Sequence, residues 1–115
     1  MIILDTTVIS ELMKIEPAER VFAWAHNLHR EDLFTTAISQ AEVLSGLAVM
    51  PAGRRRETLR EAAVIMFERY FRERILPFDR EAAQPYADIL ARRQRAGNPI
   101  DERDAQIASI AASRA

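Results

Sequence analysis

The chain opens on Ile2-Ile3-Leu4, an apolar run without polar alternation. Such a run suits a short strand buried on both faces, as in a parallel sheet. Asp5 ends it, and Thr6 to Met13 reads as a short helix. Pro17 stands where the first position of a helix is expected. Val21, Trp24, Ala25 and Leu28 then recur at helical spacing, predicting a second helix to about Leu28. Leu33-Phe34-Thr35-Thr36 predicts a second strand. Ser39-Gln40-Ala41-Glu42 has the capping-box pattern, so a third helix is expected to open at Ser39 with Glu42 in its first turn. Pro51 and Gly53 close it.

A long helix is expected from Arg54 to Arg72, burying Leu59, Ala63, Met66, Phe67 and Tyr70. Ile75-Leu76-Pro77-Phe78 is the third strand, and its proline favours a sheet edge. Asp79 caps a fifth helix with Ala83, Tyr86, Ala87 and Leu90 on its buried face, and Gly97-Asn98-Pro99 turns the chain. Asp101 to Ser113 is the sixth helix. Strands alternating with helices predict an α/β fold: a parallel β-sheet flanked by α-helices, in a single domain spanning 1–115. Three short strands make a thin sheet. The last helix has no glycine or asparagine stop and Ala115 still fits its pattern, so a C-terminal segment is expected to be missing from this chain.

Composition narrows the chemistry. Of the 115 residues, 49% are hydrophobic and 29% charged, a globular balance rather than a disordered one. The absence of cysteine excludes disulfides, thiolate zinc sites and thiol nucleophiles, and fits a cytoplasmic protein. The N-terminus has no basic segment before its short apolar run, as a signal peptide would. No stretch approaches the ~18 apolar residues of a membrane span. With a net charge of −1, any nucleic-acid site must be a local patch. The basic residues are nearly all arginine, with Lys14 the single lysine, which an arginine-biased genome also explains.

Three acids are candidates for a site. Ligands of open parallel sheets sit beyond the carboxyl ends of the strands, where Asp5 falls, although Asp5 equally suits a helix N-cap. Glu42 shares a helix face with Ser45, Gly46 and Val49, and a helical glycine costs ~1 kcal/mol relative to alanine. That lean face leaves room for a ligand or for close packing, while the capping box gives Glu42 a purely structural explanation. Asp104 shares a face with Ile107, Ala108 and Ala111 and is expected to be partly buried, in need of a partner. Asp101 is expected to cap that helix. Carboxylates sharing a crevice repel unless a cation neutralises them, and oxygen-only ligands select hard cations such as Mg²⁺ or Mn²⁺. His26 and His29 could ligate a metal but have no third ligand nearby, and placement near a helix C-terminus explains them as well.

Three motifs carry a family resemblance. Ile3-Leu4-Asp5-Thr6-Thr7-Val8-Ile9-Ser10-Glu11-Leu12 resembles the opening motif of PIN domains. Thr36-Ala37-Ile38-Ser39-Gln40-Ala41-Glu42 followed by Gly46 resembles the second motif. Gly97-Asn98-Pro99-Ile100 and then Asp104-Ala105-Gln106-Ile107-Ala108 resembles the third motif of the VapC/FitB-like group. The resemblance implies a PIN fold and a type II toxin that hydrolyses RNA with Mg²⁺. It also implies a homodimer, a cognate antitoxin as partner, and Asp5, Glu42 and Asp104 as catalytic metal ligands. Thr7 stands where the family usually has asparagine, and the family's further strand and fourth acid fall beyond Ala115.

For the RNA substrate, Thr6, Thr7, Arg92, Arg93 and Arg95 are the candidate contacts, the arginines because Gly97-Asn98-Pro99 leads from them to Asp104. Arg54, Arg55, Arg56 and Arg60 form a second cluster. Either cluster also fits an ordinary solvated helix face. Trp24, Phe67, Tyr70 and Phe71 are expected as core or dimer contacts. Two other functions remain open. One is a regulatory subunit acting through a DNA-binding partner. The other, a phosphoacceptor domain, would want a lysine late in the chain, which is lacking.

Overall fold

The computed structural model describes residues 1–115. Three parallel strands, β1 (Ile2–Ile3), β2 (Leu33–Thr36) and β3 (Ile75–Leu76), lie in the order β1-β2-β3. Ile2 pairs with Leu33 and Ile3 with Phe34, while Thr35 and Thr36 pair with Ile75 and Leu76. β3 is at an edge, as the sequence predicts, and ends just before Pro77. Because all three run the same way, their carboxyl ends share one rim of the sheet.

Six helices surround it: α1 (Thr6–Leu12), α2 (Glu19–His26), α3 (Ala37–Ala48), α4 (Arg54–Val64), α5 (Arg80–Arg95) and α6 (Glu102–Ser113). Alternate strand residues face opposite layers. On one face Leu4 and Leu33 join Ile9, Met13, Val43, Leu47, Ala63, Phe67 and Phe71, with Ile2 and Ile75 packed alongside. On the other, Leu76 joins Ala82 and Ile110, with Ile3 and Phe34 alongside. The apolar runs without alternation are thus explained by burial on both sides.

The structure revises four expectations. The long helix continues from α4 as a π-helical turn over Ile65–Tyr70, where the Phe71 amide donates to the Met66 carbonyl at 2.9 Å. Leu59, Ala63, Phe67 and Phe71 recur every four residues, which on a regular α-helix would drift about 40° per step. The wider turn offsets that drift. Phe71 is fully buried and Phe67 nearly so, which removes both as dimer contacts. In α5 the buried side is Ala82 with half-buried Pro85, Tyr86, Ile89 and Leu90, whereas Ala83 and Ala87 are exposed. In α6, Ala105, Ser109 and Ile110 are buried and Asp104 is exposed. Finally, α3 starts at Ala37 and its cap is Thr36 rather than Ser39.

Candidate active site

The candidate site grows from the rim where β1 and β2 end. Asp5 follows β1 in extended conformation, and its Oδ1 accepts from the Val8 amide at 3.0 Å, capping α1. Asp5 itself is exposed, and capping occupies one carboxylate oxygen and leaves Oδ2 without a protein partner. The next residue, Thr6, is half-buried and turns towards α3.

Thr36 closes β2, and its Oγ1 accepts from the Ser39 amide at 3.0 Å. Thr35, Thr36 and Ser39 are completely buried. Buried hydroxyls require partners, and each has one. Thr35 donates to the Leu4 carbonyl at 3.0 Å, tying β2 to the end of β1. Ser39 Oγ lies 3.0 Å from Thr6 Oγ1, which lies 2.7 Å from Glu42 Oε1. A hydroxyl carries one proton and an ionised carboxylate only accepts. Thr6 therefore donates to Glu42 and accepts from Ser39, a short chain from β2 to the carboxylate.

With Thr36 as cap, Glu42 lies in the second turn of α3. It takes no part in a capping box, and its structural explanation from the sequence falls away. Its Oε2 faces Arg103 Nη1 at 3.7 Å across to α6. Gly46 and Glu42 line one groove of about 820 Å³, and a Cβ at Gly46 would meet nothing within 4 Å. The lean helix face is open space rather than close packing.

Asp101 caps α6 by accepting from the Arg103 amide at 2.8 Å, as the sequence predicts. Asp104, the next position along, is solvent-exposed, its side chain forms no hydrogen bond or ion pair, and it contradicts the expectation of partial burial. α6 presents the Asp104 flank outward and inserts Ala105 and Ser109 instead. The structure therefore joins the first two motifs by a hydrogen bond and the second to the third by the Arg103 ion pair, and gathers no three acids within shared ligating reach. The donor chemistry of Asp5, Glu42 and Asp104 still fits a hard cation, being oxygen throughout.

The substrate candidates divide. Thr6 is part of the site, and Thr7 is exposed beside it on α1. Arg93 donates from Nε to the Asn98 carbonyl at 2.8 Å and clamps the turn after α5. Arg92 and Arg95 are exposed at the end of that helix. Arg54 and Arg55, from the less favoured of the two arginine clusters, and Lys14, which the sequence did not single out for the site, line the groove that holds Thr6 and Glu42. Sequence spacing could not show this, because the meeting depends on α1 and α4 both packing against α3. His26 bonds its own helix through the Phe22 carbonyl and stacks on Phe22, far from any ligand role.

The family model for the PIN domain matches residues 2–115. The chain belongs to the PIN-domain family. It is 42% identical over 111 residues to VapC ribonuclease Y4jK of Sinorhizobium fredii, covering 96% of this chain and 79% of that protein. Toxin FitB of Neisseria gonorrhoeae is 40% identical over 111 residues, with 96% and 80% coverage. Among solved structures, FitAB bound to an IR36 DNA fragment superposes with a TM-score of 0.89 at 38% identity, covering 99% of this chain and 80% of that one. The fold and the VapC/FitB grouping expected from the three motifs are thereby established. No helix is long and apolar enough to cross a membrane.

Proposed function

We propose that this PIN domain is the Mg²⁺-dependent endoribonuclease toxin of a type II toxin–antitoxin pair, acting in the cytoplasm, with Mn²⁺ as a workable substitute ion. The observation that supports this best is the Thr6–Glu42 hydrogen bond, which fixes a carboxylate of the second motif against the first motif at the carboxyl rim of the sheet. In this reading Asp5, Glu42 and Asp104 hold the ion. A bound divalent cation supplies a water of lowered pKa and neutralises phosphate charge. Thr6 and Ser39 orient Glu42, capping fixes Asp5 at the head of α1, and the cap at Asp101 sets where Asp104 enters. Lys14, Arg54 and Arg55 provide positive charge for the RNA backbone along the groove.

The names of the relatives support an antitoxin partner, since the solved neighbours include VapBC and FitAB complexes. Two of the VapBC complexes and FitAB are bound to DNA, which supports a second role as a subunit of a DNA-binding complex. A homodimer is also part of the proposal: Trp24 and Phe22 stand 45% and 46% exposed on α2. Purified protein freed of antitoxin is expected to cleave RNA with Mg²⁺ or Mn²⁺ and to stop with chelator. Asp5→Asn and Asp104→Asn should each lose most of the cleavage. Activity unchanged in chelator would overturn the metal mechanism. Absence of cleavage under all divalent ions would favour the regulatory role.

A further inference from the structure

Arg103 occupies an unusual place for a cation. It is the second residue of α6, next to Asp104, and its backbone is fixed by the Asp101 cap. Its guanidinium reaches out of α6 to Glu42 Oε2 at 3.7 Å, with Nε 3.8 Å from Asp101 Oδ1. Glu42 Oε1 is already taken by Thr6. Both oxygens of the one half-buried carboxylate among the three thus face a donor of this chain.

We infer that Arg103 is a built-in competitor for the divalent ion, a latch that closes the carboxylate site until metal displaces it; this rests on the metal-binding reading above. A guanidinium stays protonated throughout the accessible pH range, so it cannot give way by losing its charge. It gives way only by swinging out. The side chain is 61% exposed, with open solvent to swing into, so the latch is weak and reversible. Exposed ion pairs are also screened by salt. The latch therefore lowers the apparent metal affinity most at low ionic strength. Placing the competitor one residue from Asp104 means that a single turn of α6 carries both a candidate ligand and the group that opposes loading.

The test is the affinity of the full chain for Mg²⁺ or Mn²⁺, read by titration calorimetry and by the metal-dependent rise in unfolding temperature. Arg103→Ala is expected to tighten Kd about three- to ten-fold at low salt, from the lost ion pair together with the lost repulsion between like charges. The gap should narrow at high salt. Arg103→Lys keeps the charge without the planar fork and should fall between the two. Equal affinity in wild type and Arg103→Ala, or weaker binding in the variant, would overturn the latch while leaving the metal site standing. Metal stabilisation absent from both proteins would overturn the latch and the metal reading together.

Discussion

The two strand–helix junctions and the start of α6 are linked through the Glu42–Arg103 ion pair but hold their polar groups in opposite ways. At the junctions, Thr35, Thr36 and Ser39 are wholly buried and chained through Thr6 to Glu42. At α6, Asp101, Arg103 and Asp104 are exposed and joined by long ion pairs, Asp104 by none. A buried hydroxyl without a partner costs about 1–3 kcal/mol, so the first arrangement is enforced by folding itself. Exposed charges are worth little on their own, so the second is free to rearrange when charge arrives. One arm is a preformed seat; the other is adjustable.

Removing the ordered arm should therefore hurt folding, while the loose arm should tolerate change. Thr36→Val keeps the shape but strips the cap from α3 and leaves the Ser39 amide without its acceptor. A loss of about 2 kcal/mol in urea denaturation is expected. Asp104→Asn should stay within about 0.5 kcal/mol of wild type in the same assay. Similar losses in the two variants would erase the distinction between the arms.

The contrast also explains what the sequence could and could not tell. The strands were readable because Ile2-Ile3-Leu4 and Leu33-Phe34 are apolar on both faces, and both faces are covered. The sequence points to Ser39 as the cap of α3 because Thr36 and Ser39 both carry a capping hydroxyl and only Ser39 has a glutamate three residues on. The pairing of Thr36 with Leu76 keeps Thr36 extended and so decides between them. The buried side of α5 was shifted because alanine sits on both sides of it, and the packing of α6 selects Ala82. Asp5 and Glu42 were legible by motif resemblance far more than by spacing. The meeting of Lys14, Arg54 and Arg55 in one groove was not legible, since it depends on how α1 and α4 each pack on α3.

A smaller effect probes the cap that aims the loose arm. Asp101→Ala removes the acceptor of the Arg103 amide and should cost about 1 kcal/mol. Because α6 also packs Ala105, Ser109 and Ile110 into the protein, the helix should persist while its first turn frays. Hydrogen exchange at Arg103 and Asp104 should then accelerate relative to Ile110. Uniform acceleration along α6 would mean that the cap supports the whole helix, and that the loose arm is less independent than the comparison holds.

The smallest expected effect lies at the far end of the ordered arm, where α1 leaves the site. Lys14 Nζ sits 2.6 Å from Glu11 Oε2, and Glu11 Oε1 accepts from the Ala18 amide at 3.3 Å, tying α1 to the approach of α2. The hydrogen bond from Lys14 holds the Glu11 carboxyl below its ordinary pKa against desolvation, aided by the Ala18 amide and the Lys14 charge. A carboxyl with a lowered pKa in the folded state binds fewer protons there than in the unfolded chain. Its stabilising contribution is complete above the unfolded pKa and disappears as pH falls through the lower, folded value. Urea denaturation of wild type and Glu11→Gln across the acidic range should therefore show a small advantage for wild type at neutral pH that vanishes towards strong acid. The same advantage should shrink with added salt, because the pair is open to solvent. An advantage that persists below the folded pKa, or grows as acid is added, would mean that Glu11 contributes through packing rather than charge.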